Sequence, residues 1–168
     1  MLRMESLTLQ KRLAELIDAQ LKPSNFRRRK FNWFSCGSRL YRVCNLQKST
    51  WSDDGCYVNL GFSPSEQAVK GWLAESQCWV RFRAEALRSI CMEDLRLLDR
   101  DAIEATGEHR WAVDVAERIV RPIADVLAEP KDLPSLAVML QTKVSNRVLI
   151  HRDLRGTLYP DTAAGSAS

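Results

Sequence analysis

Apolar positions early in the chain recur at helical spacing. Leu9, Leu13, Leu16, Ile17 and Leu21 fall on one face, with Lys11, Arg12, Glu15 and Asp18 between them. This predicts an amphipathic helix with one face packed inward. It should end at Lys22, because Pro23 disfavours helical geometry in the residue before it. From Phe26 the pattern turns aromatic and β-branched. Residues 27–34, 39–48 and 56–62 read as strands, separated by the turn-forming segments Ser35–Ser38 and Ser49–Gly55. A fourth strand is expected around Cys78–Arg83, where Val80 and Phe82 alternate with Trp79, Arg81 and Arg83. Short connections imply antiparallel neighbours, and hence a meander of about four strands.

Alternation also assigns faces. Val58, Leu60 and Phe62 share one side of the third strand, and Tyr57, Asn59 and Gly61 the other. One side of the sheet is therefore strongly apolar and needs a helical cover, while the other is mixed. Pro64-Ser65-Glu66 should open a short turn or helix. Leu95, Leu97 and Leu98 mark a short helical piece, and Val115, Ile119, Val120, Ile123 and Leu127 form a longer stripe that Pro122 should kink or restart. Asp132 is placed to cap a last helix carrying Leu136 and Leu140, with Pro134 in its first turn. The fold class expected is α+β: an N-terminal helix, the meander, and C-terminal helices packed on one face. Residues 1–158 are expected to form one domain, with 159–168, small and polar, as a disordered tail.

Composition adds bounds. With 168 residues, 45% hydrophobic and 27% charged, the chain can bury a full core. No apolar run has membrane-spanning length, and the acidic, amphipathic N-terminus is unlike a signal peptide. The five cysteines (Cys36, Cys44, Cys56, Cys78 and Cys91) are odd in number and form no Cys-x-x-Cys pair, which fits a reducing compartment and a cytoplasmic protein. The net charge of +4 hides an asymmetry. Residues 1–50 hold 11 Lys+Arg against 3 Asp+Glu, and the remainder 14 against 18.

Catalytic chemistry is sparse in this sequence. His151-Arg152-Asp153-Leu154 copies the start of a kinase catalytic loop, but Leu158 stands where the loop's Asn belongs and there is no Gly-rich phosphate loop. His109 and His151 belong to no local arrangement for nucleophilic catalysis. No zinc spacing or phosphate-cradling glycine run occurs, and no cofactor is expected. Asp53-Asp54-Gly55 reads as a turn rather than a metal loop. Cys44 and Cys56 lie on adjacent expected strands, where a bridge is conceivable, but buried thiols are the simpler reading. The run Arg27-Arg28-Arg29-Lys30, followed by Phe31, Trp33 and Phe34, is the best nucleic-acid signal, cations for phosphates and aromatics for bases. Its simpler reading is a basic edge that deters aggregation, with the aromatics in the core.

Several segments together carry a family likeness. Asn25-Phe26-Arg27-Arg28-Arg29, Leu40-Tyr41-Arg42-Val43, Asn45-Leu46-Gln47-Lys48-Ser49, Tyr57-Val58-Asn59-Leu60-Gly61 and Cys78-Trp79-Val80-Arg81-Phe82-Arg83 resemble the bacterial domain of unknown function 4304, over roughly residues 5–140. Pro23-Ser24-Asn25-Phe26 departs from the Pro-Leu-Gly-Phe entry of such proteins. The resemblance implies no established activity; by analogy, some similar small α+β proteins are immunity partners of secreted toxins.

From the residues themselves, Asn45 and Gln47 share a strand face, Asn59 points the same way from its neighbour, and Lys48, Trp51, Arg81 and Arg83 border that face. These seven residues are the candidate partner-binding surface. The leading expectation is a non-catalytic protein-binding domain, with a toxin or effector as partner. One alternative is a nucleic-acid module using residues 27–34. A second is an enzyme acting on an anionic substrate through Gln47, Lys48, Asn59 and Arg81.

Overall fold

The computed structural model describes residues 6–51 and 55–160. Helix α1 (Ser6–Leu21) forms as its periodicity predicts, with Leu9, Leu13, Ala14, Ile17 and Leu21 buried. It stops at Leu21, one residue short of the expected Lys22, and a 3-10 turn over Lys22–Ser24 leads to Asn25 at φ 63°. The sheet then follows as β1 (Arg27–Arg29), β2 (Asn32–Cys36), β3 (Leu40–Lys48), β4 (Cys56–Pro64) and β5 (Val80–Arg83). Just before the last helix comes β6 (Leu149–Ile150). All neighbours are antiparallel and the order is β1-β2-β3-β4-β5-β6, an uninterrupted meander.

Among the described residues the sheet therefore has six strands rather than about four, for two reasons. Residues 27–34 are a hairpin, not one strand: Arg29 pairs with Asn32, and Lys30 turns the chain at φ 55°. Tight hairpins normally place Gly or Asn at such a position, so Lys there conceals the turn. The second addition, β6, is two residues long and carries no run of its own to read.

The pleat sorts the side chains as the alternation requires. Trp33, Leu40, Cys44, Leu46, Val58, Leu60, Phe62, Val80 and Phe82 enter one core with the helices. These are α2 (Met92–Leu95), α3 (Arg100–Thr106), α4 (Glu108–Val115), α5 (Arg121–Ala128), α6 (Leu133–Lys143) and α7 (Arg152–Leu158). Between α4 and α5 a π-turn spans Ala116–Val120, which places Pro122 at the start of α5. The proline thus restarts the helix, since its missing N–H is harmless in a first turn. Asp132 caps α6: its Oδ1 accepts from Ser135 N–H at 3.0 Å, and Ser135 Oγ accepts from Asp132 N–H at 3.1 Å. The segment His151–Leu154 begins α7, where His151 Nδ1 accepts from Asp153 N–H and the imidazole stacks on Trp79 with centroids 4.6 Å apart. Tyr159 packs against the core, while the rest of the tail expected to be disordered, from 161 on, lies outside the described residues.

One carboxylate joins the first helix to the first hairpin. Asp18 accepts from the indole N–H of fully buried Trp33 at 2.5 Å, from Arg28 at 2.7 Å, and pairs with Lys22 at 3.1 Å. Burial acts to raise its pKa, but the bonds from Trp33, Arg28 and Lys22 outweigh that and hold it below the ordinary carboxylate value.

The other face of the sheet is partly roofed. The chain between β4 and β5 folds back over it, and Leu73 both accepts from Tyr41 Oη at 2.7 Å and donates to it at 3.2 Å. Tyr41, Val43 and Cys78 form a second small core beneath this roof. Gly61 lies at the closest approach, where an added Cβ would stand 2.7 Å from Cys78 Sγ and 3.0 Å from Val43 Cγ1. The cysteines are free thiols. Cys44 faces Leu60 and Cys56 faces Lys48, an offset of four residues, or about 13 Å of strand, beyond the reach of a disulfide. Burial pushes their thiols up to about 12 and about 11.

Two stability tests follow. Replacing Asp18 by Ala strands the buried Trp33 N–H and should cost about 1–3 kcal/mol in urea unfolding at neutral pH. Because the folded carboxyl titrates below its ordinary 3.8, the part of that advantage tied to the ionised form is full above 3.8 and should be lost as pH falls through the folded value. Gly61→Ala should destabilise by about 1–3 kcal/mol, the range for overpacking, with a lower thermal midpoint; an unchanged midpoint would mean the roof yields.

Candidate functional site

Beyond the roof, the outer face of the sheet carries polar side chains in register. Arg29 pairs with Asn32, Asn32 with Asn45, Asn45 with Asn59, and Asn59 with Arg83. One residue from each of five strands thus forms a straight row, spanning about 19 Å at ordinary strand spacing. The three asparagines are bonded into a ladder. Asn59 Nδ2 donates to Asn45 Oδ1 at 3.0 Å and to Gln47 Oε1 at 3.1 Å, and Asn45 Nδ2 donates to Asn32 Oδ1 at 2.9 Å. Asn59, the innermost, is only 7% exposed, and its two donated bonds satisfy an amide that burial would otherwise penalise.

Arginines hold both ends of the row. Arg29 lies 4.9 Å from the Trp72 ring centroid and Arg83 4.4 Å from that of Tyr57, close enough for each ring face to orient a guanidinium. Beside Arg83, Arg81 donates to the Ser76 carbonyl at 2.7 Å. A cleft of about 450 Å³ opens here, and its lining includes Gln47, Asn59, Arg81, Arg83, Glu75 and Arg147. Glu75 is desolvated, which raises its pKa, and Arg81 and Arg83 only partly offset the rise.

Of the seven residues singled out from sequence, five come together: Asn45, Gln47, Asn59, Arg81 and Arg83 share the outer face, and all but Asn45 line the cleft. Lys48 has the opposite parity, at the end of β3 opposite Cys56. Trp51 is 92% exposed in the connection after β3, its N–H bonded to Ser49 Oγ. Neither lines the cleft. Asn32 and Arg29 were hidden by the unread hairpin, whose turn at Lys30 sets the two opposite each other. Glu75 opens a short 3-10 turn (Glu75–Gln77) and Arg147 precedes β6, with no sequence pattern to place either.

The basic run is divided by the same hairpin. Arg28 turns to the helix side and is taken by Asp18, Arg29 faces outward, Trp33 is fully buried, and Phe31 packs partly on the core. Asp53 and Asp54 of the expected turn lie outside the described residues; Gly55 accepts from Ser49 N–H at 2.9 Å. Among the described residues no group of three or more His, Cys, Asp or Glu is placed to hold a metal ion, and no helix is long and apolar enough to cross a membrane.

A family model described as "Domain of unknown function (DUF4304)" matches residues 17–129. The chain belongs to this family. No curated protein and no solved structure matches it. The DUF4304 match runs from within α1 to just past α5, so it includes the whole asparagine ladder and both arginines that end the row, and stops before Arg147 and β6.

The raised pKa of Glu75 gives a signed expectation. Its folded-state pKa lies above the ordinary 4.5, so the fold binds the proton more tightly and loses stability as pH rises from 4.5 through the folded value. Glu75→Gln should therefore raise the thermal midpoint at neutral pH, and the gain should vanish below pH 4.5.

Proposed function

We propose that this DUF4304 domain is a non-catalytic binding module that docks a protein partner on the open part of its outer sheet face. The observation that carries this reading is the in-register row Arg29-Asn32-Asn45-Asn59-Arg83. Amides locked to one another and guanidiniums lying over aromatic rings lose little side-chain entropy when a partner arrives. Arginine and aromatic residues are also the types that dominate binding energy at interfaces. The partner that fits presents acidic groups, because Arg29, Arg81, Arg83 and Arg147 outnumber Glu75 and Glu85 along this face and its cleft. Neutralisation of a secreted toxin is the finer form of this proposal, and it rests on the family analogy.

A nucleic acid is less well served. Stacking on bases needs exposed rings beside the cations, and Trp33, the largest aromatic of the basic run, is buried with its N–H on Asp18.

Affinity purification of the tagged chain from cells that naturally produce it, at low and moderate salt, tests the reading. One stoichiometric protein is expected, in a complex burying on the order of 1,200–2,000 Å². Arg29→Glu, at an exposed strand edge, should weaken the complex about tenfold or more in a binding isotherm. An eluate dominated by salt-sensitive nucleic acid, or a protein complex indifferent to Arg29→Glu, would overturn it.

A further inference from the structure

The cleft beside Arg83 has a structural cause that points to its ligand. Trp79 gives its carbonyl to the His151 N–H at 2.7 Å, so the odd-numbered residues of β5 turn their backbone groups toward β6. Arg81 duly pairs with Leu149. Continued by two residues, that register would set Arg147 opposite Arg83. Instead, Ser145 N–H donates to the Ala86 carbonyl at 2.8 Å and Arg88 N–H to that of Lys143 at 2.9 Å, one residue out of step. The extra residue is taken up on the β5 side, in the 3-10 turn Ala84–Ala86, and the two chains part as they do around a β-bulge.

The resulting gap is the cleft. The backbone groups of Arg83 face it by parity, and Arg81, Arg83 and Arg147 are among the residues that line it. Glu75 and Glu85 line it too, so the net charge is a small positive one. With two acidic residues in the lining, a doubly charged phosphate is repelled more than a singly charged carboxylate, whose planar group also matches the fork of a guanidinium in two parallel hydrogen bonds.

We infer that this gap receives one carboxylate side chain, an Asp or Glu of the partner, held by Arg83 and Arg147 at the end of the asparagine row. The inference rests on the protein-binding reading and names the chemistry of the docking partner. Arg147 enters it as a residue of the gap although it is exposed and outside the family match.

The test uses the full chain, isotopically labelled, and three probes: N-acetyl-glutamate N-methylamide, its glutamine counterpart, and inorganic phosphate. Saturable amide shifts are expected at Arg83, Glu85 and Arg147 with the glutamate probe, about tenfold weaker with the glutamine one. Arg147→Ala changes an exposed side chain and should keep the dispersed spectrum while abolishing the response; Arg83→Ala should do the same. Equal responses to glutamate and glutamine, or no shifts at these amides, would overturn the inference, and tighter binding of phosphate would overturn the choice of a carboxylate. Failure here leaves the Arg29→Glu experiment untouched. A partner complex that ignores Arg147→Ala would remove the cleft while keeping the sheet face.

Discussion

The nine-residue register between β3 and β4 is the constraint on which the remaining structure depends. It sets Cys44 against Leu60 and Leu46 against Val58 on the helix side, and Asn45 against Asn59 and Gln47 against Tyr57 on the other. A slip of one residue would drive the amides into the core and the leucines into solvent, which the hydrophobic term forbids. Every other strand is added to this pair, so its register is inherited across the sheet. The row of polar residues is a by-product of packing the opposite face.

Two further devices turn that sheet into a binding surface. The Asp18 carboxylate fixes the β1–β2 hairpin to α1 through Trp33 and Arg28, which leaves Arg29 facing outward at the end of the row. At the far end, the mismatch between β5 and the chain from Ser145 to Leu149 opens the cleft. Between them, the asparagine ladder satisfies its own polar groups, so the face stays ordered without a helix covering it. The roof packs on Tyr41 and Val43 and hides that apolar part of the same face.

Much of this was legible in the chain. Helical spacing found α1, strand alternation found β3, β4 and β5, and Asp132 announced α6 by its capping chemistry. Parity put Asn45, Gln47 and Asn59 on one face, with Arg81 and Arg83 read as its border; the β4–β5 register sets both arginines on that face. Lys48 was misplaced by one step of that parity: nearness in sequence put it beside Gln47, while the pleat turned it to the other side. Asn32 was missed because Lys30 occupies a left-handed turn position that Gly or Asn usually advertises.

By itself, the sequence determined which residues prefer helix or strand and which side of each strand is apolar, because those depend on spacing within a few residues. It determined the α+β class for the same reason. Only the tertiary structure decided that the arginines bracket the asparagine ladder, that Glu75 and Arg147 meet at one cleft, and that Trp33 is buried on Asp18. Those facts depend on pairing between segments distant along the chain, and on a one-residue mismatch between β5 and β6 that no local pattern records.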